Sequence, residues 1–334
     1  MGDRLSAVLA GPPAAPYVIA EIGGNHGGRL DLALAMVHAA AAAGADAVKF
    51  QVYRTQALCA AGAPGLEDFR REELPAEAVR ALAARCAERG VTFLATPFDE
   101  ESLALVAGLG APAIKIASGD VTNWPLLRAA ARGGRPLLLS TGAATSEELA
   151  GALEALREAG NVPVILLHCT AAYPAPDAEA NLAAIPALRE RFGLPVGFSD
   201  HTLGVEVALG AVALGACVIE KHFTTDVHLP GGDNGMSITP PELERLVRGS
   251  RRVAAARGAD GGRPTPSERA LLPAMRRSLV AAIPLAAGAM LTADCLAAKR
   301  PARGIAPCDL EKVLGRRTAR ALAADEPLRW EDLA

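Results

Sequence analysis

Between about residue 17 and residue 256, short apolar and β-branched runs alternate with Ala- and Leu-rich stretches of helical length, the rhythm of strands and helices in turn. Eight runs read as strands, at 17–22, 47–51, 92–96, 113–116, 136–140, 164–168, 196–199 and 218–222. Seven are followed within a few residues by a helix-like stretch, as at 30–43, 146–158 and 205–214. The eighth leads into a longer loop and then 240–256, a helix that Pro240 and Pro241 can open where a missing N–H is harmless. Eight such repeats predict an α/β protein with a closed (β/α)8 TIM barrel rather than an open doubly wound sheet.

Residues 258–266 are rich in Gly, Pro and Asp and read as a linker. The expected organisation is a barrel domain over 1–260, a linker over 261–274 and a small domain over 275–334. In that last part Leu285-Ala-Ala recurs as Leu322-Ala-Ala, Leu291 as Leu328, Asp294 as Glu331 and Leu296 as Leu333, all at an offset of 37. Internal pseudo-symmetry follows. A domain this short buries little apolar surface, so it is expected to pack on the barrel or on a partner subunit.

Composition narrows the function. The 334 residues are 51% hydrophobic and 21% charged, which excludes disorder, collagen and small disulfide scaffolds. A net charge of -3 leaves no basic excess for phosphates, so neither nucleic acid nor an anionic membrane is an expected partner. The six cysteines form no C-x-x-C pair and fit free thiols in a reducing cytoplasm. Neither an export signal nor a membrane span is evident. Met1, Gly2 and Ser6 satisfy a bare myristoylation pattern, read here as coincidence. Of the 34 basic residues only Lys49, Lys115, Lys221, Lys299 and Lys312 are lysines. In a chain biased to arginine these five draw attention, although position and not rarity must show that an ammonium is needed.

In such a barrel the chemistry gathers at the C-terminal ends of the strands. Those ends carry Glu21, Asn25 and His26; Lys49 and Gln51, on one face by period-2 spacing; Thr96; Lys115, Ser118 and Asp120; Ser140 and Thr141; His168, Thr170 and Tyr173; Ser199, Asp200 and His201; and Glu220, Lys221 and His222. Lysines inside apolar strands are costly unless they meet anions. Lys49 and Lys115 therefore point to an anionic ligand, with Thr96, Ser118, Ser140 and Ser199 as neutral donors. Two other readings stay open: pairing of each lysine with a local carboxylate such as Glu21 or Asp120, and a Schiff base on a desolvated lysine. His201 and His222, from adjacent strand ends, could converge on one divalent cation. His38 and His228 read as bland and His168 as ambiguous. The loop from Leu229 to Ser237 lacks the Gly-Lys-Ser/Thr of a nucleotide loop and reads as a mobile cover with Asp233 as its one charge. The basic run Arg276-Arg277 and the cluster from Lys299 to Arg303 read as solvated surface.

The strings A-E-I-G-G-N-H-G-G, D-A-V-K-F-Q, A-T-P-F-D, I-K-I-A-S-G-D, L-S-T-G, H-C-T-A-A-Y-P, G-F-S-D-H-T-L-G, E-K-H-F-T and K-R-P-A-R-G-I occur in this order. Together they closely resemble the bacterial sialic acid synthases, the N-acetylneuraminate synthase family with its pseudaminic and legionaminic acid synthases, from residue 17 to the end. The resemblance implies a barrel followed by an antifreeze-like (SAF) domain in a domain-swapped homodimer. It implies condensation of phosphoenolpyruvate with an N-acyl-mannosamine-type sugar and water, releasing phosphate. By motif match His201 and His222 bind manganese or magnesium, Lys49, Thr96, Lys115, Ser118, Ser140 and Ser199 surround phosphoenolpyruvate, and Glu21 orients or deprotonates water. Asp233 is the acidic loop residue, and Arg300 reaches the sugar of the partner subunit's site; Asn25, Gln51, Asp120 and Tyr173 complete the expected substrate shell. Three positions depart from the usual pattern: Gly231-Gly232-Asp233-Asn234 where G-P-D is common, Ala171 where Asn or Ser is common, and Asp120 where some relatives have Glu. They bear on the sugar rather than the reaction. A Lys115 Schiff-base aldolase and a non-catalytic carbohydrate-binding protein are the competing readings.

Overall fold

The computed structural model describes residues 3–10, 15–258 and 262–334. Met1 and Gly2 of the myristoylation pattern, and Gly261 at the start of the expected linker, lie outside them. The chain divides into two compact units, Met1–Gly258 and Ala259–Ala334.

In the first unit eight parallel strands form one sheet: β1 Tyr17–Gly23, β2 Ala47–Val52, β3 Thr92–Pro97, β4 Ile114–Ile116, β5 Leu137–Ser140, β6 Val164–His168, β7 Val196–Asp200 and β8 Val218–His222. Their order is β3-β2-β1-β8-β7-β6-β5-β4, and β3 lies beside β4 at the seam that no ladder bridges. The ring is the expected barrel. Every strand boundary falls within one residue of the sequence expectation.

Period-2 alternation divides the strand residues between two surroundings. One set, including Val18, Ala20, Val48, Phe50, Ile114, Leu139 and Ile219, packs against the helices. The other, including Ile19, Ala47, Leu94, Ala113, Leu138, Ile165 and Val218, forms a separate apolar cluster with Leu5 and Val8 of the helix Asp3–Ala10. Two residues further along the same phase come Glu21, Lys49, Thr96, Lys115, Ser140 and Glu220, all buried. The barrel interior is thus an apolar floor carrying a polar layer, and the floor holds that layer in register: Glu21 pairs with both Lys49 and His222, and Ser199 with Glu220.

The first helix of the second unit is Pro266–Met275, which falls on most of the interval expected to be linker. The reason is local: Thr265 caps it, Pro266 opens it and Glu268 closes a capping box. Strands β9 Ser278–Ala281 and β10 Leu296–Lys299 pair antiparallel. The offset of 37 is a true structural symmetry. Leu285 and Leu322, equivalent in the repeat, bond each other reciprocally through N–H···O contacts of 2.9 Å. The bridges Val280 to Pro327 and Met290 to Arg317, and likewise Ala281 to Leu296 and Thr318 to Leu333, exchange under the same operation. Leu279, Leu285, Leu291, Leu322 and Leu328 fill the small core between the halves.

Candidate active site

The polar layer surrounds a cavity of ≈ 60 Å³ lined by Glu21, Lys49, Gln51, Thr96, Lys115, Ser118, Ser140, Tyr173, Ser199, His201, Glu220 and His222, with Phe98 and Ala117. Eleven of these carried an expected role in the sequence, and the strand phase brings them together. Lys49, 3% exposed, donates to Thr96 Oγ1 at 2.8 Å and lies 2.7 Å from Glu21 Oε2 and 3.6 Å from Glu220 Oε2. Burial opposes its charge, but the two glutamates outweigh burial and hold the ammonium above its usual range. Lys49 therefore does pair with Glu21, as one reading allowed. Lys115 does not pair with Asp120. It donates to Ile116 O at 3.0 Å and forms no ion pair among the described residues, and burial draws it below the usual lysine range. Asp120 is instead half-buried, accepts from Asn123 at 2.9 Å and lies off the cavity.

Two carboxyl groups in this layer have moved apart. Burial, reinforced by the charge of Glu220 and only partly offset by Lys49, pushes Glu21 up to about 7. Burial also acts on Glu220, but Lys49 and Lys115 overcome it and bring the group down to about 2, helped by the Ser199 hydroxyl donating to Oε1 at 2.9 Å. Glu21 Oε1 has no hydrogen-bond partner in this buried setting. Its other oxygen meets Lys49 at ion-pair distance, outside hydrogen-bond angles. Glu220 belongs to the site although the sequence reading gave it no role; its signal was the two-residue spacing to His222 on β8.

Above this layer stand the two imidazoles, ring centroids 5.5 Å apart. Desolvation lowers His201, and lowers His222 further below its ordinary value with the help of His201, so both are neutral near pH 7. Nδ1 of His201 is 2.7 Å from Thr170 O, which makes it the donor and leaves Nε2 as a lone pair. His222 Nδ1 is buried without a hydrogen-bond partner, 3.3 Å from Asp233 Oδ2. Tyr173 covers the pair, 4.3 Å from His201 and edge-on to His222. Among the described residues no group of three His, Cys, Asp or Glu converges as a ready-made metal cage. Two neutral imidazoles with an unsatisfied nitrogen nonetheless fit a divalent cation that keeps open positions for substrate oxygens.

Asn25 and His168 spend their polar atoms away from the cavity. Asn25 is not free for substrate: Nδ2 donates to Phe223 O and Ser237 Oγ, and Oδ1 accepts from Asp233 N, because the chain between Leu229 and Ser237 folds back over it. That loop is accordingly pinned rather than a loose cover. His168, ambiguous in the sequence, meets Ala180 O at 2.9 Å. Arg300 is exposed in the second unit. A larger cavity of ≈ 600 Å³ between the β5 and β6 loops shares no residue with the polar one and has Glu179 as its only acidic or basic side chain besides His168 and Cys169. The charged side chains gather in the smaller cavity. All six cysteines are free, four of them buried, and no helix among the described residues is long and apolar enough to cross a membrane.

Residues 36–261 match the NeuB family and residues 276–334 the SAF domain. The chain is 37% identical to the N,N'-diacetyllegionaminic acid synthase of Legionella pneumophila, over 95% of this chain and 94% of that protein. It is 32% identical to the pseudaminic acid synthase of Campylobacter jejuni, over 95% and 96%. The crystal structure of the N-acetylneuraminic acid synthetase of Leptospira borgpetersenii aligns with a TM-score of 0.74 at 38% identity, covering 77% of this chain and 90% of that one.

Proposed function

The chain belongs to the NeuB family, and from that premise we propose how its own residues carry out the reaction of a nonulosonate synthase. The enzyme condenses phosphoenolpyruvate with an N-acyl-mannosamine-type sugar and water and releases phosphate. Carbon 3 of phosphoenolpyruvate forms a bond to the sugar's aldehyde carbon, water adds to the cationic carbon 2, and the C–O bond to phosphate breaks. The single observation that carries the residue assignment is the layer of Lys49, Thr96, Lys115, Ser140 and Ser199 at one level of the barrel, with two imidazoles directly above.

Lys115, buried without a carboxylate partner, and Lys49 hold the anionic substrate, and the hydroxyls of Thr96, Ser118, Ser140 and Ser199 complete its shell. Glu21, pushed up to about 7, accepts the proton of the water attacking carbon 2, at a pKa matched to neutral conditions. Glu220 stays ionised and fixes Lys49 and Ser199. His201 and His222 hold manganese or magnesium, with Asp233 alongside. The chemistry a cation supplies there is Lewis acidity toward the aldehyde oxygen of the sugar. At ≈ 60 Å³ the cavity is far below the roughly 300–1,000 Å³ of ligand pockets, so Tyr173, about half exposed over the imidazoles, moves aside to admit substrates. A cytoplasmic homodimer, with Arg300 serving the partner's sugar, belongs to the same proposal.

Stoichiometric phosphate release from phosphoenolpyruvate tests the activity, with manganese and a panel of N-acetylmannosamine, its 6-phosphate and N-acylated diamino-deoxyhexoses. No turnover with any of them overturns the reading. Borohydride trapping that survives a chelator would move the assignment to a Lys115 Schiff base. Mixing Arg300→Ala chains with Lys49→Met chains tests the dimer, since hybrids regain activity only if the arginine acts across the subunits.

A further inference from the structure

The turn after β8 returns over the mouth by a route that depends on its two glycines. Gly231 and Gly232 both have left-handed backbones, at φ 78 and 55. A Cβ on Gly232 would lie 2.9 Å from both Asn25 N and Asn25 Oδ1, so glycine is required there twice over. Gly232 N then donates to Glu72 Oε1 at 3.1 Å. The following Asn234 is 1% exposed and uses every polar atom of its side chain. Nδ2 donates to Gly231 O at 2.8 Å and to Asn25 O at 3.2 Å, and Oδ1 accepts from Thr224 Oγ1 at 2.6 Å. Asn25 answers from the other side, its Oδ1 accepting from Asp233 N at 2.7 Å, while Ser237 Oγ donates to Asp233 O at 2.8 Å. Both backbone groups of Asp233 are therefore held, and its side chain is the part left free, 3.3 Å from His222 Nδ1.

We infer that Asn234 is a positioning residue, which together with Asn25 sets the Asp233 carboxylate against His222 before any substrate arrives. The inference rests on the role proposed above for Asp233 and His222. Pre-ordering a loop removes its ordering cost from the binding step, and a misplaced carboxylate weakens whatever shares the site. An amide is needed at 234 because its two hydrogens face two carbonyl oxygens. A carboxylate of the same shape has no hydrogen to donate, turns both of those contacts repulsive and leaves Asp233 on an unpinned turn.

The test is a double-mutant cycle with Asp233→Ala and Asn234→Asp on the full chain. Manganese alone is titrated by electron paramagnetic resonance, amide exchange is followed over residues 231–237, and KM is measured for each substrate. Asp233→Ala and Asn234→Asp should each weaken manganese binding about tenfold, the scale seen when groups that orient metal ligands are lost. The double variant should be no weaker than Asp233→Ala. Asn234→Asp should raise the sugar KM about tenfold and leave that of phosphoenolpyruvate within about twofold, and exchange should accelerate only in the loop. Asn234→Ala repeats the cycle should the buried charge unfold the protein. Additive losses, or an Asp233→Ala variant that binds manganese and sugar normally, overturn the inference. A wild-type protein without turnover would sink the functional reading instead, and the cycle on manganese and exchange would still decide this one.

Discussion

Two lysine–carboxylate pairs are buried on neighbouring strands of the same barrel, and they differ in how completely they are satisfied. Lys221 on β8, 1% exposed, donates to Asp200 Oδ2 at 2.7 Å and to Thr202 O at 2.6 Å. The second oxygen of Asp200 takes Thr202 N and Oγ1 at 2.9 and 2.8 Å, so no acceptor is left over. Lys49 on β2 shares Glu21 and Glu220, and oxygens of both glutamates have no hydrogen-bond partner. Lys221 and Asp200 fall in the strand phase that faces the helices; Lys49, Glu21 and Glu220 fall in the phase that faces the cavity. A closed network rigidifies the ends of β7 and β8 from which His201 and His222 project, whereas an open one keeps charge available for a ligand. Ion pairing in a protein interior is thus not one kind of evidence; the count of unmet lone pairs separates scaffold from site.

The largest effects come from removing each cation. Lys49→Met should lower kcat/KM about 10³-fold, on the scale of losing a preorganised electrostatic donor. Its cost in stability is limited, because Glu21, already near neutrality, can take a proton when the ammonium is gone. Lys221→Met strands the Asp200 carboxylate behind the site and should cost about 3–5 kcal/mol in urea unfolding, with kcat/KM of the folded fraction within about tenfold of wild type. The two variants together break the comparison if Lys221→Met loses activity without stability, or if Lys49→Met retains turnover.

Much of this contrast was legible in the chain and some of it was not. Period-2 spacing placed Lys49 with Gln51 and predicted the barrel within a residue at each strand, because continuous apolar runs bounded by turns leave little choice of register. The same spacing put Glu220 in phase with His222 and Lys221 out of it, yet the three were grouped together as one strand end. Asn25 and Asp120 sat at the right strand ends but spend their polar atoms elsewhere: Asn25 on Asp233, 208 residues away and brought to it only by loop closure, and Asp120 on Asn123 in the turn that follows it. The helix Pro266–Met275 was missed for the opposite reason: Thr265, Pro266 and Glu268 announce it locally, but the Gly- and Pro-rich composition around them was given more weight.

A smaller effect lies in pH. Glu21 has moved from 4.5 to about 7 through burial, so between those values the folded protein keeps a proton that the unfolded chain releases. Its contribution to stability is complete below 4.5 and is lost as the pH rises through about 7. Glu220 has moved the other way, to about 2, and its contribution is present above 4.5 and lost as the pH falls toward 2. If Glu21 is the base, kcat/KM rises about tenfold per pH unit up to about 7 and then levels. Glu21→Gln should flatten that limb and remove the loss of stability between 4.5 and about 7. A limb that persists in Glu21→Gln assigns the titration to another group.

The smallest and sharpest contrast is between two hydroxyls. Thr96 Oγ1 accepts from Lys49 Nζ, and Thr202 Oγ1 donates to Asp200 Oδ1, each bonding one member of a buried pair. Replacing either by valine keeps the shape and deletes one charge-assisted hydrogen bond, worth about 1.5–3 kcal/mol. In the open network the deficit should appear in function, because under the proposed assignment Lys49 presents its charge to phosphoenolpyruvate: Thr96→Val should raise that KM about tenfold and shift the urea midpoint little. In the closed network the deficit should appear in stability. Thr202 N still serves Asp200, so Thr202→Val should lower unfolding free energy by about 1–2 kcal/mol and leave both KM values unchanged. Identical responses from the two variants would show that satisfaction of the lone pairs does not distinguish scaffold from site in this barrel.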